Sequence, residues 1–314
     1  MRNFRPYFLP VVFLIIFIPA ANAQYTETIN SNRPGASQGA FSVGTNVLQL
    51  EAGGYYGNDN HALRRTDTDI LGADYSLRYG LFFEALEVSL IGAFQDETTT
   101  IRIGANDVDF NRSNFRANTL GLKYMIFDPH VSIAPDKPNL YSWKANQRFK
   151  WKTLIPAVAV YAGANFSFGE NPYLNPGENN FSPRVALITQ NNWQGGWVFV
   201  TNIIADKLSE DDPSFIGIFT LTHTFTQKFA GFAEYQGIIS NIYADDIFRA
   251  GLAYLAFDDL QVDISGLLNF KDTPSRWQVA AGLSYRFDMH KQDEFLGDSE
   301  EGDFRRLRSK NQEN

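Results

Sequence analysis

The sequence contains no cysteine and only four histidines among its 314 residues. The lack of cysteine excludes disulfide bonds, thiol catalysis and zinc–thiolate sites. The histidines are not closely paired, which argues against a histidine-rich metal site. We therefore expect neither a metal nor a cofactor.

The chain also has no excess of positive charge. Its formal net charge is −8, whereas nucleic-acid-binding proteins concentrate positive charge on one surface. We therefore expect no nucleic-acid partner.

An uninterrupted stretch of about 18 apolar residues would indicate a membrane helix. No stretch of this kind occurs beyond the N-terminal segment. This excludes a multi-helix inner-membrane protein. The run Val11–Ile18 is too short to cross a bilayer, follows Arg2 and Arg5, and precedes Ala21-Asn22-Ala23. These features are typical of a secretory signal, and we expect residues 1–23 to be removed on export.

Aromatic residues and glycine are abundant, with 27 Phe, 14 Tyr, 5 Trp and 24 Gly. Aromatic residues are common in strands and at membrane interfaces. Between residues 45 and 287, segments of about ten residues alternate in polarity and are separated by turn-forming residues. In one of them Val262 and Ile264 share a face, and Asp263 and Ser265 share the other. This pattern is typical of an all-β transmembrane barrel, with lipid on one side and a polar lumen on the other.

The alternation predicts an antiparallel barrel of about 12 strands, an even number as in bacterial single-chain barrels. The predicted strands are 46–56, 68–79, 83–95, 115–127, 152–166, 182–191, 196–205, 214–225, 228–237, 246–256, 259–269 and 276–287. The predicted organisation is a signal peptide at 1–23, a polar periplasmic segment at 24–46 beginning at Gln24, the outer-membrane barrel at 47–287, and a charged, disordered periplasmic tail at 288–314.

The predicted connections alternate between short periplasmic turns and longer outer loops. The longer loops are 57–67, 96–114, 167–180, 206–213, 238–245 and 271–275. Segment 128–151 breaks the rule because it is long on the periplasmic side. It is a polar plug-side loop or an irregular segment, or else it contacts an anionic periplasmic partner through Lys137, Lys144, Arg148 and Lys150.

Strand parity places charges of both signs on the inward faces. These lumen candidates are Glu51, Asp74, Arg78, Glu87, Lys123, Arg184, Glu234, Arg249, Asp263 and Arg286. Charges in a narrow lumen need partners or water, so we expect a network in which Glu234 and Asp263 pair with basic residues such as Arg249 and Arg286. Such a network either fills and stiffens the barrel or selects a polar or anionic-headed solute.

No arrangement in the sequence indicates catalysis. His223 lies between Thr222 and Thr224, whose side chains point to the opposite face of a strand, and no serine stands two residues away. Phosphate-binding loops, zincin helices and hydrolase elbows are also missing. We therefore expect a non-enzymatic protein, with His223 as a surface or lumen residue.

Several short motifs occur in a characteristic order. They are Ser31-Asn32-Arg33-Pro34-Gly35, Leu48-Gln49-Leu50-Glu51, Phe232-Ala233-Glu234-Tyr235, Leu260-Gln261-Val262-Asp263 and Gly282-Leu283-Ser284-Tyr285-Arg286-Phe287. The chain thereby resembles the outer-membrane family labelled for meta-pathway phenol degradation, often described as transporters. Two features depart from its pattern: the family commonly has Asp at the position of Asn32, which removes a possible pairing with Arg33, and residues 288–314 follow the terminal aromatic residue.

Together, the pattern and the resemblance predict an exported Gram-negative outer-membrane barrel that passes or binds a small solute. The resemblance implies an aromatic or hydrophobic compound. Membrane lipid and the barrel-assembly machinery are the expected partners. The alternative is a structural or adhesive outer-membrane protein with a closed lumen.

Overall fold

A computed structural model of the protein describes residues 29–104, 106–133, 140–142 and 151–289. Twelve strands form a closed antiparallel barrel in which β1 pairs with both β2 and β12. The predicted fold is therefore confirmed. The predicted signal peptide and the basic residues Lys137, Lys144, Arg148 and Lys150 lie outside the described residues, as does the tail from residue 290 onward.

Each strand pairs with its neighbours in sequence, so every connection is a hairpin. The strands are β1 (Val47–His61), β2 (Thr66–Gly80), β3 (Leu86–Ile103), β4 (Asn106–Phe127), β5 (Ala157–Phe166), β6 (Phe181–Trp193), β7 (Trp197–Asp206), β8 (Ser214–Thr224), β9 (Phe229–Ile239), β10 (Ala244–Phe257), β11 (Leu260–Asn269) and β12 (Ser275–Asp288). Between β4 and β5 lie a helical turn, α1 (Pro129–Ser132), and a 3-10 turn at Trp151–Leu154. Within the described ranges, no helix has the length and apolar character needed to cross a membrane.

Two predicted loops are largely strand. β3 and β4 remain paired out to Ile103 and Asn106, so the predicted loop 96–114 is wrong. The predicted loop 57–67 shrinks in the same way, because β1 and β2 leave only Ala62–Arg65 between them. Hydrophobic alternation marks only the part of a strand that meets lipid, whereas backbone pairing continues into water where both faces are polar.

Predicted strand 152–166 begins late, at Ala157. The 3-10 turn Trp151–Leu154 occupies its first positions, and Pro156 cannot donate a ladder hydrogen bond. The turn is held against the end of β6, where the Trp193 indole donates to the Thr153 carbonyl at 3.0 Å. This end of segment 128–151 therefore packs on the barrel rim.

At most strand positions, apolar side chains point out and polar side chains point in. On β11 the Ile264 residue is 59% exposed, whereas Asp263 is 7% exposed. His223 lies on the outer surface of β8, with its ring stacked on Trp197 at 4.1 Å between ring centroids. The outer surface therefore has the apolar and aromatic character that a lipid environment requires.

Residues 29–43, which we call the plug, lie inside the barrel. The plug starts at the short-turn end, where the Ile29 amide donates to the Asp258 carbonyl between β10 and β11 at 2.9 Å. The expected separate periplasmic segment 24–46 is therefore wrong for its described part. A polar segment without strand periodicity can enter a lumen if inward-facing side chains form hydrogen bonds with its backbone N–H and C=O groups. Here those side chains come from strands far along the sequence.

Candidate functional site

A buried ionic cluster lies near the short-turn end of the lumen. Arg78 on β2 donates through Nε and Nη2 to the two carboxylate oxygens of Glu87 on β3, both at 2.9 Å. Lys123 on β4 lies 3.3 Å from the same carboxylate, and Glu51 on β1 lies 3.3 Å from Arg78 Nη1. All four residues are at most 3% exposed. Their pairing compensates charges that would otherwise be costly to bury.

This cluster also binds the plug backbone. Lys123 Nζ donates to the carbonyls of Gly39 and Phe41, both at 3.0 Å. Glu87 accepts from the Val43 amide at 3.0 Å. The ionic cluster therefore fixes a chain segment inside the barrel in addition to joining the strands.

Arg33 of the plug lies between Asp74 on β2 and Asp263 on β11. Its guanidinium donates to Asp263 on β11 at 3.1 and 3.2 Å and also pairs with Asp74 on β2. Between those strands, Gly53 on β1 is in register with Gly282 on β12, and a Cβ at either glycine would overlap the guanidinium. The absence of side chains at these two glycines therefore leaves the space that the Arg33 guanidinium occupies.

Glu234 on β9 binds the turn that follows Arg33. Its carboxylate accepts from the amides of Ala36 and Ser37 at 3.0–3.2 Å and from the Thr220 hydroxyl at 2.8 Å. Arg249 on β10 donates to the same carboxylate at 2.9 Å. The contact between Arg249 and Glu234 is a charge-assisted hydrogen bond.

Neutral amides bind the rest of the plug. Asn202 on β7 accepts from the Gln38 amide at 2.7 Å and donates to the Gln38 carbonyl at 2.9 Å. Gln190 on β6 accepts from the Ala40 amide at 3.0 Å. The plug therefore contacts strands around most of the barrel, and its backbone satisfies inward-facing polar groups.

Beyond the plug, towards the longer connections, the lumen widens into a cavity of about 780 Å³. Its wall includes Tyr55 of β1 and Tyr173 of the β5–β6 connection. The Arg112 guanidinium lies 4.7 Å from the centre of the Tyr173 ring. Burial, followed by the negative charge of Glu97, raises the pKa of Tyr173 to about 12. The Tyr173 hydroxyl donates to the Gln95 carbonyl at 3.0 Å. The cavity wall combines charged groups of both signs with aromatic surface.

Strand parity found the inward face but misassigned one ion pair. Glu234 and Arg249 are adjacent. Asp263 pairs with Arg33, which also pairs with Asp74, and not with Arg286. The expected pairing of Asp263 with Arg286 is therefore wrong. Asp263 is in register with Gly282, so Arg286 stands four residues, roughly 13 Å, farther along β12. Parity specifies the face of a strand but not the height in the lumen.

The remaining predicted lumen residue, Arg184 on β6, lies 3.6 Å from Asp206. The position of Arg33 in the lumen and the plug contacts of Gln190 and Asn202 were not predicted from the sequence. The motif around Arg33 was visible in the sequence, but its location in the lumen was not. For the uncharged side chains of Gln190 and Asn202, the sequence indicated only which face of the strand they occupy.

The closed barrel, its apolar outer surface and its polar plugged lumen define a transmembrane β-barrel of the outer-membrane type. The chain matches the family described as "Putative MetA-pathway of phenol degradation" over residues 31–287 and belongs to that family. No match was found among curated proteins.

Solved structures similar to this chain include an outer membrane channel from Pseudomonas putida F1, with 9% identity and a TM-score of 0.50, covering 82% of this chain and 100% of that one. The NanC porin has 13% identity and a TM-score of 0.46, covering 75% and 98%. The CymD monoaromatic hydrocarbon channel has 10% identity and a TM-score of 0.39, covering 79% and 90%. At this identity, the likeness to the first structure shows the barrel fold.

Proposed function

We propose that the protein resides in the outer membrane and binds a small solute in its lumen for passage across that membrane, without catalysing a reaction. The observation that carries this proposal is the cavity of about 780 Å³ inside the barrel, bounded on one side by the plug. A volume of this size accommodates a small organic molecule. The family label favours an aromatic or hydrophobic compound.

The plug would control passage in this proposal, because it crosses the lumen between the cavity and the short-turn end. Its contacts are hydrogen bonds and ion pairs to the barrel wall, such as Arg33 to Asp263 and Glu234 to Ala36. Opening a path requires these contacts to break or shift. The same closure is the observation that favours a second function, a structural or adhesive barrel with a permanently closed lumen.

Solute passage can be tested in liposomes that contain the purified full-length protein. We expect small neutral solutes to enter faster when Arg33→Gln loosens the plug than in wild type. Planar-bilayer recording should show larger or more frequent conductance steps for the same variant. If the folded wild type and the folded variant both remain impermeable and silent, passage is wrong and the closed-lumen function is supported.

A further inference from the structure

Arg116 enters the lumen at an irregularity of the sheet. On the β3–β4 pair, Ala93 is in register with Ala117 and Phe94 with Phe115, so Arg116 is the extra residue of a β-bulge. Bulges redirect side chains and often occur beside functional sites. Arg116 lines the cavity, where its Nη1 donates to the Gln95 side-chain oxygen at 3.3 Å.

Arg116 differs from the other cations of the cavity wall in its partners. Each of the others lies within 4.0 Å of a carboxylate; they are Arg33, Arg112, Arg184, Lys207, Arg249 and Arg276. For Arg116, no carboxylate in the described part of the chain lies within that distance, and its hydrogen-bond partner is a neutral amide. Among the described residues, the wall therefore presents one guanidinium without a carboxylate partner.

A second guanidinium comes from the opposite wall. In a ring of twelve strands β4 lies across from β10, and Arg249 on β10 lines the same cavity as Arg116. Arg249 uses its Nη1 for Glu234 and Gln236, at 2.9 and 2.6 Å. A carboxylate held between the two arginines would compensate the charge of Arg116 and could accept charge-assisted hydrogen bonds.

Apolar side chains line the same part of the wall. Leu267 on β11 is in register with Arg249, and Ile247 precedes Arg249 by two residues on the same face. Both line the cavity and are largely buried, at 8% and 4% exposure. Small-molecule sites combine such apolar surface with a few charged groups that fix orientation.

We propose that Arg116 and Arg249 bind the carboxylate of a small monocarboxylic solute whose apolar body packs on Ile247 and Leu267. The proposal rests on the proposed function, because it names the class of solute that the lumen takes. Arg116 supplies an unpaired charge, Arg249 approaches from the opposite strand, and Leu267 provides apolar surface beside it. A neutral solute of the same shape leaves the charge of Arg116 uncompensated.

Benzoate is a suitable probe, and benzyl alcohol is its neutral counterpart. We would measure binding of each by calorimetry to the purified full-length protein in detergent, for wild type, Arg116→Gln and Arg102→Gln. Arg102 belongs to the same hairpin and carries the same charge, but it is exposed and does not line the cavity. We expect wild type to prefer benzoate and Arg116→Gln to bind it about tenfold or more weakly, as for a lost hydrogen bond to a charged group. Arg102→Gln should match wild type.

Arg116→Gln breaks no ion pair among the described residues. Heat-modifiable electrophoretic mobility would verify that each variant is folded. Arg116→Lys should bind benzoate more tightly than Arg116→Gln, because it keeps the charge. Absence of benzoate binding to wild type, equal binding of benzyl alcohol, or an equal loss in both Arg→Gln variants would overturn the proposal. Benzoate binding without solute passage would overturn only the transport function, and passage without benzoate preference would overturn only the carboxylate site.

Discussion

Arg33 and Asp263 are 230 positions apart in sequence, yet two parallel hydrogen bonds of 3.2 and 3.1 Å join them inside the barrel. The Asp263 side chain is fully buried in this arrangement, and that of Arg33 is 8% exposed. A buried carboxylate of this kind depends on its partner, because water cannot replace the lost interaction. This contact links the plug to the barrel wall.

We predict that Arg33→Gln destabilises the folded barrel by about 3–5 kcal/mol, the usual cost of leaving a buried charge unpaired. The effect of Arg33→Gln combined with Asp263→Asn should be smaller than the sum of the single effects by more than about 1 kcal/mol. Denaturant midpoints read from heat-modifiable mobility measure both quantities.

The matched control is the pair Arg286→Gln and Asp263→Asn. Both residues face the lumen, but Arg286 lies farther along β12 than the position in register with Asp263. Their effects should add to within about 0.5 kcal/mol. Additive effects for Arg33 with Asp263, or strong coupling for the control pair, would contradict the contact.

The second prediction concerns Gly282, one of the two glycines that border the Arg33 guanidinium. An added methyl group at this position would overlap the Arg33 guanidinium. The flexible arginine can move aside, but it then loses its position between Asp74 and Asp263. Gly282→Ala should therefore destabilise the barrel by about 1–3 kcal/mol, as overpacking does elsewhere, and the cost should largely disappear in the Arg33→Gln background. Denaturant midpoints of the single and double variants test this.

Gly266 on the neighbouring strand is the control for Gly282. A Cβ at Gly266 would have its nearest neighbour, the Gln278 carbonyl oxygen, at 3.9 Å. Gly266→Ala should shift the midpoint little in either background. A similar cost at both glycines would mean that strand conformation, rather than Arg33, explains the need for glycine at position 282.

The barrel itself was predictable because its signal is local. Alternation such as Val262 and Ile264 against Asp263 and Ser265 repeats along each strand that contacts lipid. The same signal ends where lipid ends, which is why the polar outer parts of β3 and β4 could not be recognised as strands. Their pairing, out to Ile103 and Asn106, depends on the partner strand.

The contents of the lumen were less predictable, because they depend on contacts between distant segments. Parity placed Glu234 and Asp263 on the inward face but could not show that the plug, rather than another strand, supplies their partners. The bulge at Arg116 is similarly hidden, since one extra residue in a strand leaves no mark in its polarity pattern. A charged residue of the candidate solute site was missed for this reason.

The opposite faces of β11 provide the last prediction, through Ile264 and Ser265. Ile264 is 59% exposed on the outer surface near the middle of the strand, whereas Ser265 lines the cavity. Ile264→Arg places a charge in lipid and should cost about 2–4 kcal/mol near the bilayer midplane. Ser265→Arg places the same side chain in the lumen, where water and acidic groups can stabilise it, so its cost in folding should be smaller. Denaturant midpoints in phospholipid vesicles compare the two variants, and liposome uptake should show that only Ser265→Arg obstructs the lumen. Equal folding costs at the two positions would contradict the orientation of β11, because a shift of one residue exchanges its lipid and lumen faces.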